Sequence, residues 1–147
     1  MNESIFSVLF IKKHLSAYSK LFVGLIYLFF SLGGVLRNEN DYQQDFVIWI
    51  INLDRLTIMV LIFSGAILYL TSGIILLFNL HMKKKFFVLS NYLFYFGFIL
   101  TNPVFILLLI TGWPTELLLW LLIGLIPLLV HLFYYSVLLS EPKLTTF

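Results

Sequence analysis

The chain has 147 residues, of which 61% are hydrophobic and only 11% charged. A soluble domain carries about 25% charge, so a water-soluble globule is excluded, and a net charge of +2 gives no ground for a nucleic-acid partner. The absence of cysteine excludes disulfides, thiolate metal sites and iron–sulfur ligation by the chain itself.

Four apolar stretches, at residues 16–36, 56–80, 86–111 and 116–138, reach membrane-spanning length. A helix needs about 20 mostly apolar residues to cross about 30 Å of hydrocarbon. The expected architecture is an all-α membrane protein: a single integral domain over residues 1–147, built as a bundle of four transmembrane helices. A short amphipathic interfacial helix is expected between helices 1 and 2.

In chain order, residues 5–11 form an apolar run too short to span, followed rather than preceded by positive charge. It is expected to lie along the inner interface or to extend the first helix, and not to be a cleaved signal peptide. In span one, Gly24 and Ser31 are seven apart and share a helical face, which reads as a close helix contact. Beyond it, Tyr42, Phe46, Trp49, Ile50 and Leu53 fall at helical spacing. Residues 42–53 therefore read as the amphipathic helix at the outer interface, with Trp49 at headgroup level.

Span two places Gly65 and Gly73 on one expected contact face with Tyr69 between them. The hydroxyls of Ser64, Thr71 and Ser72 are expected to bond back to carbonyls one turn earlier. In span three, Asn91 and Asn102 are eleven apart and share a face, with Gly97 and Thr101 as a small-residue pair nearby. Asn102-Pro103 implies a local break, because Pro103 removes a backbone donor and clashes with the carbonyl of Ile99, which Asn102 is placed to serve. Structural glue is the first reading of these amides and a ligand contact the second. Residues 111–116 form a turn with Trp113 at the interface and Thr115 as an N-cap. Span four then carries Gly124, Pro127 and His131, closes with Tyr134 and Tyr135, and ends at Glu141-Pro142.

Charge sets the expected topology. Lys12, Lys13, Lys20, Lys83, Lys84, Lys85 and Lys143 fall on one side, and Arg37 and Arg55 on the other. Both termini are thus expected on the cytoplasmic side of a bacterial inner membrane or its equivalent. The three lysines at 83–85 read as a topology signal, being fewer than the usual four to eight of a headgroup site. No acidic residue, lysine or arginine is expected in the middle of any span, which counts against an ion-coupled carrier. His131 stands as the intramembrane titratable group, expected to be neutral and hydrogen-bonded. His14 and His81 belong to the same inner side but in polar surroundings, about 10 Å shallower by helical rise, which disfavours a haem between them.

The stretch Gly24-Leu25-Ile26-Tyr27-Leu28-Phe29-Phe30-Ser31-Leu32-Gly33-Gly34-Val35-Leu36 resembles the first helix of the DoxX-like family of small four-helix membrane proteins. The segment around residues 46–53, the run Ser72-Gly73-Ile74-Ile75-Leu76-Leu77-Phe78, and a fourth span ending in Tyr134 and Tyr135 are similar to the later parts of that family's pattern. The resemblance implies a small bundle associated with quinone-linked or sulfur/thiol redox systems, often beside a soluble partner. Gly65, Ala66 and Ile67 stand where the family's second helix usually carries a glutamate, so no catalytic residue is carried over.

Three functions are weighed. The first is a non-catalytic DoxX-like membrane subunit or anchor, in contact with lipids and with a protein partner or further copies of itself. The second is a redox protein holding a quinone or haem among the spans. The third is a small oligomeric transporter or channel, with a polar path through Asn102, Thr101, Ser72 and Thr71. The candidate ligand-binding residues are Asn91, Asn102, His131, Thr101 and Ser72. No catalytic or metal-binding residue is identified, and no cofactor is required.

Overall fold

In lipid every backbone N–H and C=O must be satisfied within the protein, and long Leu/Ile/Phe runs answer this by coiling. The structure is a computed structural model that describes residues 3–36, 46–48, 51–53, 55–79, 84–110 and 117–140. Among the described residues there are four helices: α1 (Glu3–Leu36), α2 (Arg55–Phe78), α3 (Lys84–Ile110) and α4 (Leu117–Ser140). The apolar run at 5–11 extends the first helix, the second of the two expectations for it. Helices α3 and α4 continue through Pro103 and Pro127, so the local break expected at Asn102-Pro103 does not interrupt α3.

Three segments are long and apolar enough to cross a membrane: Phe10–Gly33, Thr57–Phe78 and Lys85–Leu107. On α4 the apolar segment is Leu118–Phe133. The helices pack in a ring, α1 on α2, α2 on α3, α3 on α4 and α4 back on α1. The two seams of α2 are the more extensive, and α4 is the less engaged helix.

The expected interfacial helix is corrected. Two strands, β1 (Phe46–Ile48) and β2 (Ile51–Leu53), pair antiparallel with Phe46 opposite Leu53 and Ile48 opposite Ile51. The physical reason is composition: Val47, Ile48, Ile50 and Ile51 are β-branched, and with Phe46 they favour a pleated surface over a helix. Tyr42, Trp49 and Ile50, the 111–116 turn, His81 and the side chains of Tyr134 and Tyr135 lie outside the described residues.

Burial runs opposite to that of a soluble protein. Lys13, Ser16, Lys20, Ser72, Ser90, Thr101, Asn102 and His131 are buried, while Phe22, Phe29, Phe96, Ile99 and Leu129 are more than half exposed. Apolar surface on this scale has no stable place in water, so the chain is an integral membrane protein. The core is aromatic: Tyr27 meets Tyr69 edge-on at 5.9 Å and Phe105 at 5.2 Å, Phe105 meets Phe30 at 5.7 Å, and Phe30 meets Trp120 at 4.8 Å.

Glycines set the closest approaches. Gly65 of α2 lies against Thr101 and the Gly97 carbonyl of α3, so the expected Gly97–Thr101 pair does form a contact. Gly73 instead faces Leu21 and the Ala17 carbonyl of α1. Gly65 and Gly73 thus serve two different neighbours rather than one face. Eight residues at about 100° each leave the two about 80° apart around the helix.

Candidate functional site

The buried polar side chains gather at two heights. At the central height, each helix contributes. Tyr27 Oη of α1 donates to the Trp120 carbonyl of α4 at 2.8 Å. Asn102 Nδ2 of α3 lies 3.1 Å from the Phe98 carbonyl, 3.2 Å from Thr101 Oγ1 and 3.4 Å from Tyr69 Oη of α2. Thr101 Oγ1 donates to the Gly97 carbonyl at 3.0 Å. Gly124 makes the convergence possible: a Cβ there would collide with Tyr27 Oη and sit 2.6 Å from Asn102 Oδ1. The amide therefore serves Phe98, one residue before the Ile99 carbonyl expected for it. Asn102 Oδ1 has no hydrogen-bond partner among the described residues.

Nearer the N-terminus of α1, the second height is built around Lys20. This residue is fully buried, and its Nζ sits 4.7 Å from the centre of the Phe94 ring. It has no hydrogen-bond partner among the described residues, and neither has Ser16 Oγ one turn earlier on the same face. His131 packs at a tilt against the same Phe94 ring at 5.0 Å and meets Tyr95 edge-on at 5.4 Å. Phe94 in turn contacts Tyr69 at 5.6 Å, linking the two heights.

Lys20 overturns the expectation that no lysine stands in the middle of a span. It lies ten residues after the start and thirteen before the end of the segment Phe10–Gly33. Lys13 is buried as well, but its Nζ donates to the Asn79 carbonyl at 2.7 Å, at the C-terminal end of α2 where the helix dipole is negative. The contrast decides which lysine is satisfied. An ammonium at a helix centre costs about 2.5–3.5 kcal/mol on insertion scales. A desolvated cation–π contact returns about 2 kcal/mol, but it supplies no acceptor for the three N–H donors. Lys13 has an acceptor; Lys20 has an aromatic face only.

The candidate residues separate accordingly. Asn102 and Thr101 belong to the central height and His131 to the Lys20 height, about 10–12 Å apart by helical rise. Ser72 does not make the expected bond to a carbonyl one turn earlier; it lies in the α2–α3 seam, where it donates to the Ser90 carbonyl at 2.7 Å while Ser90 Oγ donates to the Ser72 carbonyl at 2.9 Å. Asn91 is half-buried one turn before Phe94, with its Oδ1 lacking a partner among the described residues. Thr71 bonds back to Ile67 at 2.7 Å and Ser64 to Val60 at 2.8 Å, as expected for hydroxyls in span two.

Sequence reasoning missed Lys20, Tyr27, Tyr69, Ser90 and Phe94. One signal was available: Lys13, Lys20 and Tyr27 recur at seven-residue intervals and so share one face of α1. His14 lies elsewhere, with its Nδ1 donating to the Phe10 carbonyl at 2.8 Å and its ring between Phe10 and Tyr18. Among the described residues, no three His, Cys, Asp or Glu side chains are grouped to hold a metal ion. No protein-family model, no curated protein and no solved structure matches the chain.

Proposed function

We propose that the chain is a four-span membrane protein acting as a non-catalytic subunit or anchor, with both termini on the cytoplasmic side of a bacterial inner membrane or its equivalent. The observation that carries this reading is the use of interior polar groups as helix-to-helix ties. The reciprocal Ser72–Ser90 pair joins α2 to α3, Tyr27 joins α1 to α4, and Asn102 reaches Tyr69 across the α2–α3 seam. Such bonds average about 0.6 kcal/mol in lipid, and groups engaged in them are not free for chemistry. As the fourth span, α4 has 24 residues, or about 36 Å of rise.

The burial of Lys13 and Lys20 removes both from the aqueous charge count. Lys83, Lys84, Lys85 and Lys143 still outnumber Arg37 and Arg55 on the opposite side, which supports the same orientation. The DoxX-like resemblance of the helix patterns adds the setting, a quinone- or thiol-linked redox system beside a protein partner or further copies of the chain. A second reading, a ligand-binding redox protein or a small carrier, is favoured by one observation: Lys20 is the kind of mid-span ionisable group that such proteins use.

The deciding experiment is gentle purification from native membranes followed by mass spectrometry of the intact particle. Stoichiometric co-purification of other subunits is expected. A solitary bundle retaining a quinone or haem would shift the assignment to the redox reading, with His131→Phe as the first variant. Asn102→Leu is expected to weaken assembly or thermal stability while leaving the turnover of any assembled complex intact; lost turnover with intact assembly would overturn the subunit reading.

A further inference from the structure

We propose that the Lys20 height binds the oxyanion head, carboxylate or phosphate, of a membrane amphiphile. Lys20 brings three N–H donors and a positive charge to the interior of the bundle, and Ser16 adds a hydroxyl one turn away; neither has a hydrogen-bond partner among the described residues. The phenyl face of Phe94 holds the ammonium in place without spending those donors. Lys13, two turns earlier on the same face, shows the alternative, since its ammonium is tied to the Asn79 carbonyl.

The spans themselves hold no counter-charge for Lys20. No Asp or Glu occurs in residues 4–38, 55–115 or 117–140: of the seven acidic residues, Glu3 opens α1 and the other six stand outside the four helices. An oxyanion from outside the chain supplies both the charge and the acceptor atoms that the ammonium and hydroxyl require, through charge-assisted hydrogen bonds.

The position selects an amphiphile over a free ion. Lys20, Phe94 and His131 come from α1, α3 and α4, and α4 is the helix packed least extensively on its neighbours. The outward side chains of α4 beside His131, Leu129, Leu132 and Phe133, are exposed and apolar. An acyl tail laid along that seam shares the environment of the surrounding lipid while its head reaches Lys20. This goes beyond the subunit reading, and whether partners co-purify has no bearing on it.

The test uses the full chain in neutral detergent. Thermal unfolding and native mass spectrometry are read with oleate, phosphatidate, monoolein or inorganic phosphate added. Retention and stabilisation are expected with oleate or phosphatidate, and the stronger of the two identifies the head as carboxylate or phosphate. Lys20→Met is expected to weaken that binding about tenfold or more, because it removes a charge as well as the donors, and Ser16→Ala about threefold, because it removes a single donor. Lys85→Met is the matched control, because Lys85 is exposed at the start of α3, over the ring of its neighbour Phe86 at 5.2 Å and outside the site; its affinity is expected to stay unchanged. Equal binding by Lys20→Met would overturn the proposal, as would equal stabilisation by the uncharged monoolein or protection by inorganic phosphate alone. If Lys20→Met does not fold, unchanged binding by Ser16→Ala overturns it in the same way.

Discussion

The central height and the Lys20 height lie about two turns apart in one bundle, yet they solve the burial of polar groups in opposite ways. Around Tyr27, Tyr69 and Asn102, donors meet carbonyls and hydroxyls of other helices, and Gly124 removes the side chain that would keep them apart. Around Lys20, the contacts are aromatic and the donors remain unspent. Polar burial in a membrane bundle is thus not one phenomenon. Where partners are supplied it binds helices together, and where they are withheld it leaves a group with binding capacity.

Variants sharpen that contrast by sign as well as size. The largest effect is expected from Gly65→Val at the α2–α3 crossing. The added atoms meet Thr101 and the Gly97 carbonyl, and overpacking against backbone costs about 3 kcal/mol. Unfolding in detergent with a mid-point close to wild type would break the close-packed description of the seam. Gly124→Ala is next, at about 2 kcal/mol. Its penalty is expected to shrink in a Tyr27→Phe background, because Tyr27 Oη is the atom the new methyl meets. A double-mutant cycle with no coupling would remove Gly124 from the central height.

Lys20→Met carries the opposite sign. Without added amphiphile it is expected to stabilise the bundle by about 1 kcal/mol, since a buried charge lacking an acceptor is replaced by a side chain of similar volume. A loss of stability would mean that Lys20 is already satisfied within the protein. Smallest is Ser72→Ala, at about 0.6 kcal/mol. The further loss on adding Ser90→Ala is expected to be less than additive, because the two hydroxyls form one reciprocal pair 3.0 Å apart.

Much of the fold was legible because hydropathy and length act over whole segments. The end of α1 at Leu36, the end of α2 at Phe78 close to the expected residue 80, and the Gly97–Thr101 contact arise from local spacing, whereas the break expected at Pro103 does not interrupt α3. The strand pair at 46–53 was not, since the same residues satisfy both a helical stripe and a β-branched run. Lys20 was misplaced for a related reason. Charged residues depress hydropathy, so the expected first span begins at residue 16, after Lys12 and Lys13, and leaves Lys20 near its start, whereas α1 begins at Glu3 and carries Lys13 and Lys20 into the bundle. Of the candidate site residues, Asn102, Thr101 and His131 were visible as polar residues in apolar helices. That they fall at two heights, and that Tyr27 and Tyr69 join one while Phe94 joins the other, depends on how four helices are set against one another.

By itself the sequence determined that this chain enters a membrane, the approximate limits of its helices, and the absence of thiol chemistry, because composition and period are properties of single segments. Only the tertiary structure decided which side chains face inward, that Gly65 and Gly73 serve different neighbours, and that one buried lysine has an acceptor while another has none. Those outcomes depend on the rotation and depth of each helix relative to the next, which no single segment encodes.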